Sequence, residues 1–172
     1  MPLNAGTGFQ AQALGQGDAL MRTIYGSAYD PARRMISGPA FQQKVEEDTA
    51  AIGKELSDAM AAAGISNANG IAFHINGSGV LEVKGEHPDK ERIHAMLDAD
   101  PELTGKLRGN LHSQRMAADF AVEAAHAERF KAAKNDGEIL AAWRTAVSGH
   151  ETVARMTDLT FSGGRLKLSE PA

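Results

Sequence analysis

A chain of 172 residues, 42% hydrophobic and 23% charged, has the length and composition to bury one core, which excludes wholesale disorder. Its net charge of −4 comes without a long run of either sign, so the basic stripe that displaces counterions from phosphates is missing and nucleic acid is not an expected partner. The absence of cysteine removes disulfides, thiolate metal sites and cysteine nucleophiles.

Residues 1–38 read as a flexible N-terminal arm ahead of a single globular α+β domain at 39–172. Gly6, Gly8, Gly15, Gly17, Gly26 and Gly38 are interleaved with small and polar residues, a composition that raises the entropic cost of ordering. No basic start followed by an apolar run marks a secretory leader, and no stretch nears the roughly 20 apolar residues that span a bilayer. The expected setting is cytoplasmic, without membrane insertion, and export without a cleaved signal is left open. Inside the arm, Asp18 can cap a short helix in which Leu20, Met21, Ile24 and Tyr25 share a face until Gly26 ends the run. With Arg22, Tyr29, Arg33 and Arg34 these residues form the aromatic, apolar and cationic mixture enriched at interface cores, and they are the candidate partner-binding set. The competing reading docks the segment on its own domain.

Ser37-Gly38-Pro39 opens a helix expected over 39–63, with Phe41, Val45, Ile52, Leu56 and Met60 on one face and Gly64 as its left-handed cap. The rhythm then switches to alternation in Ile71, Phe73 and Ile75, and again in Leu81 and Val83, which predicts a β-hairpin over 71–84. For Phe73 to lie across from Leu81 or Val83 on one face, the loop must hold an odd number of residues or contain a bulge. Helices follow over 88–98 and 101–134, the second opened by the capping sequence Asp100-Pro101-Glu102. Asn135-Asp136-Gly137 breaks it, and a last helix over 137–147 carries Ile139, Leu140, Trp143 and Val147 before Gly149 closes it. A second hairpin, 158–169, turns on Gly163-Gly164 as a type I′ connection, pairing Ser162 with Arg165, Phe161 with Leu166 and Leu159 with Leu168.

Short hairpins are not stable alone. The predicted fold is therefore α+β, a small antiparallel sheet of about four strands built from the two hairpins and packed against three to four helices. Phe41, Phe73, Phe120, Phe130, Trp143 and Phe161 are expected as the largest core pieces.

Nucleotide phosphate loops, the Gly-x-Ser-x-Gly elbow and His-Glu-x-x-His are all missing. Two Glu-x-x-His steps, Glu91/His94 and Glu123/His126, stand on predicted helices. In di-iron carboxylate bundles two such steps, joined by glutamates such as Glu46 or Glu47 from other helices, surround the metals. They define the alternative function, a small metal-dependent enzyme, and the plainer reading is an ion-pairing helix face. His112 and His126, with Asp119 partway between, share a face of the long helix and read as surface histidines before they read as a proton shuttle. Asn76-Gly77-Ser78 matches a glycosylation sequon by coincidence in a tight loop. Gly105 and Gly109 have two readings, close approach of another backbone, which is favoured, or simple weakening of the first helical turns. The function predicted first is a non-catalytic protein-interaction or assembly module using the arm and the long helix, with an accessory of a bacterial export or envelope-linked machine as a subclass. Its expected partner is another protein or a second copy; no catalytic residue, cofactor or small-molecule ligand is indicated.

Overall fold

The computed structural model describes residues 17–66 and 69–170. The chain divides into two compact units at Lys44/Val45, inside a helix.

In the first unit, helix α1 occupies 17–25 and ends in a 3-10 turn, Gly26–Ala28. Gly26 takes φ +56°, the left-handed conformation that stops a helix at least cost in glycine. Two short strands follow, β1 (Tyr29–Asp30) and β2 (Met35–Ile36), paired antiparallel with Tyr29 opposite Ile36. The expected arm is thus regular secondary structure over much of 17–36, and the helix foreseen within it is present. Asp18 lies inside α1, and its carboxylate accepts the Tyr29 hydroxyl at 2.6 Å. Tyr25 meets Phe41 edge-to-face, with centroids 5.2 Å apart. The glycines at 6, 8 and 15 lie outside the described residues.

Helix α2 (Gly38–Ala62) starts where Ser37 and Pro39 predict. Its end is a Schellman cap: Ile65 N donates to Met60 O at 2.9 Å, Gly64 N donates to Ala61 O at 3.0 Å, and Gly64 takes φ +69°.

The second unit is built around a four-stranded antiparallel sheet in the order β4-β3-β5-β6. Strands β3 (Ile71–Ile75) and β4 (Leu81–Lys84) are joined by residues 76–80, an odd loop, so Phe73 lies opposite Val83 and Ile75 opposite Leu81. Asn76 organises that loop: its side-chain oxygen accepts from the backbone of Ser78 and Val80. Strands β5 (Asp158–Ser162) and β6 (Arg165–Ser169) turn on Gly163 and Gly164, at φ +57° and +75°, and pair Phe161 with Leu166 and Leu159 with Leu168 as predicted. The hairpins join through β3 and β5, with Ile71 opposite Phe161 and Phe73 opposite Leu159.

Because strand side chains alternate, Ile71, Phe73, Leu81, Val83, Leu159, Phe161, Leu166 and Leu168 are all buried on one face. They form one core with Leu56 and Met60 of α2, Ile93 and Leu97 of α3 (Lys90–Ala99), and Leu103, Leu107 and Leu111 of α4 (Pro101–Ala132). The opposite face carries the cross-strand pairs Ala72–Lys84, His74–Glu82 and Thr160–Lys167. A relay of hydrogen bonds ties the helices to the sheet edge. Buried Asn110 donates to Thr49 Oγ1 at 2.7 Å and accepts from Gln114 at 2.8 Å, and Gln114 accepts from the Leu168 backbone at 2.9 Å. Buried side-chain amides are tolerated when satisfied in this way.

Asp100 caps α4 through Leu103 N at 3.0 Å, and Asn135 caps α5 (Asp136–Arg155) through Glu138 N at 3.0 Å. The last helix was expected to stop at residue 147 with Gly149 as its terminator; it continues to Arg155, and Gly149 is interior. Close packing explains the glycine better: a Cβ at residue 149 would lie 2.9 Å from Val122 Cγ1. The reverse holds at Gly105 and Gly109, where an added Cβ meets nothing within 4 Å; among the described residues no backbone approaches that face, contrary to the packing role expected of these glycines.

At Gly53, an added Cβ would sit 2.7 Å from the carbonyl oxygen of Gly164, backbone that cannot swing aside. Gly53→Ala is expected to destabilise by about 1–3 kcal/mol through overpacking, whereas Gly105→Ala should stabilise by about 0.5–1 kcal/mol through helix propensity alone. Urea unfolding of the two variants checks this; shifts of the same sign would contradict it.

Candidate functional site

Helix α4 has two halves with different environments. Leu103, Leu107, Asn110 and Leu111 are buried under the sheet, and beyond Leu111 no α4 residue is fully buried. The second half packs against α5, and the residues that α5 turns toward it are small. Ala142, Ala146 and Val153 are buried and Gly149 is half-buried, a stripe at helical spacing that lets two backbones approach closely.

The consequence is an exposed flank. Trp143 is 57% exposed, Leu140 51%, Val147 42% and, on α4, Phe130 49%. Sequence reasoning took Trp143 and Phe130 for core, and Phe120 as well, which is half-buried. It put the large apolar side chains on the inward stripe, whereas the inward stripe holds the alanines and the glycine. Leu140, Trp143 and Val147 lie together along one side of α5.

Beside it lies a group of ionisable side chains. His150 bridges two acids of α4, with Nδ1 at 3.0 Å from Asp119 Oδ1 and Nε2 at 2.9 Å from Glu123 Oε1. The imidazole is raised above its ordinary value, first by the hydrogen bond to Asp119 and then by that to Glu123, because both favour the charged ring. The protonated ring donates to both carboxylates and so crosslinks α4 to α5. His126 Nδ1 is 3.9 Å from Glu123 Oε2, and its ring meets Phe130 and Trp143 at centroid distances of 6.1 and 6.2 Å. Sequence reasoning missed His150 as a partner here. The Asp119–Glu123 spacing on one face was legible, but the return of α5 past it is a tertiary fact.

Of the two Glu-x-x-His steps, Glu123/His126 belongs to this group, while Glu91 is exposed and His94 half-buried on α3. The steps do not converge: among the described residues, no three His, Cys, Asp or Glu side chains are placed to hold a metal ion.

The predicted contact residues of the N-terminal segment divide by direction. Leu20, Arg22, Ile24, Arg33 and Arg34 are exposed, Met21 and Tyr25 are half-buried, and Tyr29 is buried. Tyr29 and Tyr25 are engaged by Asp18 and Phe41 within their own unit, and the hydrogen bond to Asp18 raises the Tyr29 phenol above its usual range. Arg33 lies 3.8 Å from Asp30, a weak exposed pair.

Among the described residues, no helix is long and apolar enough to cross a membrane. Comparison with protein-family models, with curated proteins and with solved structures found no match.

The raised His150 value carries a sign. Stability from the Asp119–His150–Glu123 bridge is complete below the ordinary histidine value of 6.5 and is lost as pH rises through the raised one. Thermal unfolding of the wild type and of His150→Gln should therefore show a gap that is widest at mildly acidic pH and closes toward alkaline pH. A gap constant over that range would contradict the bridge.

Proposed function

We propose that this chain is a non-catalytic protein-interaction or assembly module whose contact surface is the exposed flank of the α4–α5 hairpin. One observation carries the reading: the protein's single tryptophan, Trp143, stands 57% exposed beside Leu140 and Val147. Burying a large apolar side chain is worth about 1.5–3 kcal/mol, and tryptophan is among the residues most enriched in binding hot spots. A scattered exposed leucine needs no explanation, but a tryptophan ringed by other large apolar groups does.

The capped helix ends support the same reading. Asn135 fixes the start of α5, and the small inward stripe holds the helix against α4, so the flank is presented on rigid elements. A pre-organised surface loses less entropy on binding. Exposed Leu20 and Ile24 on α1 offer a smaller apolar surface of the same kind in the first unit.

A photo-crosslinking side chain placed at Leu140, in the intact protein within its native cell, tests the proposal. Covalent adducts are expected there and not at Lys167, which is exposed on the open face of the sheet. Absence of adducts at Leu140, or equal yields at both positions, would refute the assignment.

A further inference from the structure

On the proposed contact flank, we infer that the occupant is a second copy of this chain, paired through α5 antiparallel to itself about a twofold axis beside Val147. This rests on the reading of the flank as a contact surface and adds the identity of the partner. The outward ridge of α5 is Leu140, Arg144, Val147, Glu151 and Ala154, a four-three-four-three spacing that keeps one seam facing a neighbouring helix. Leu140, Trp143, Arg144, Val147 and Glu151 line a shallow groove along that seam.

The ridge is complementary to itself in one direction only. Arg144 and Glu151 lie two helical turns apart on the same face, one on either side of Val147. Reversing the second helix brings Arg144 of each copy against Glu151 of the other, Val147 against Val147, and Leu140 against the small Ala154. In the parallel arrangement Arg144 would meet Arg144 and Glu151 would meet Glu151, which like-charge repulsion disfavours. A twofold interface requires this reciprocity, residue i meeting j while j meets i. The side chains of Arg144 and Glu151 make no hydrogen bond or ion pair among the described residues, so both charges are free for a partner. Trp143, one position off the seam, would close over its edge.

Sedimentation of the full chain over a concentration series tests the pairing. The wild type is expected to move from monomer to dimer. Arg144→Glu, which sets carboxylates against carboxylates, should remain monomeric throughout. Arg144→Glu combined with Glu151→Arg should recover the dimer, since the exchange restores both pairs. Both positions are exposed and, among the described residues, unpaired, and circular dichroism of each variant verifies that α5 is intact. A wild type that stays monomeric at every concentration overturns the inference, as does an exchange variant that folds but fails to dimerise. Those failures differ from failure of the contact surface itself. A monomeric chain that still gives crosslinks at Leu140 to another protein keeps the surface and loses only the second copy.

Discussion

The close contact of Gly149 with Val122 decides what this molecule presents to its surroundings. A helix can turn small residues inward only by drawing near its neighbour, and then its larger residues have no place between the two backbones. Helix α5 does this with Ala142, Ala146 and Gly149. Leu140, Trp143 and Val147 are left outside as a direct consequence of how tightly the hairpin closes. His150 reinforces that closure with its bridge to Asp119 and Glu123, so packing and charge hold α5 in one orientation.

The sheet end of the same unit follows the opposite rule. Its large side chains, Phe73 and Phe161 with Leu103, Leu107 and Leu159, are fully buried, and a single core joins four strands to parts of three helices. The two buried polar residues there are partnered, Asn110 by Thr49 and Gln114, and the carboxylate of Asp158 by Lys84 at 3.0 Å. Helix α4 connects the two ends, anchored by leucines in its first half and bearing α5 on its second. A helix rooted in a core is a firm mount for a surface.

Much of this architecture was readable in the amino-acid sequence, because strand alternation and turn chemistry are local. The parity argument for Phe73 and Val83 needed only the pleat, and Gly163-Gly164 needed only its conformational freedom; together they placed the apolar residues of two hairpins on one face. Asp100 and Asn135 marked helix starts for equally local reasons. Residues whose meaning depends on a distant neighbour were not readable. Gly149 looks like a helix terminator until Val122 is beside it. Trp143 looks like core until the alanines are found on the inner stripe, since hydrophobicity alone ranks it above them. Glu123 and His126 suggested a metal step, whereas Glu123 is the second acid of a histidine bridge whose third member comes from another helix. In the N-terminal segment the helix at 17–25 was legible, but the inward turn of Tyr25 and Tyr29 was not.

Because the protein holds one tryptophan, its fluorescence reports the central claim without ambiguity. In dilute solution, where the chain is alone, Trp143 should emit at the long wavelength of a hydrated indole and be quenched readily by acrylamide. Short-wavelength emission protected from the quencher under those conditions would place the indole inside the hairpin, and would contradict the account of a small-residue seam that turns its large side chains outward.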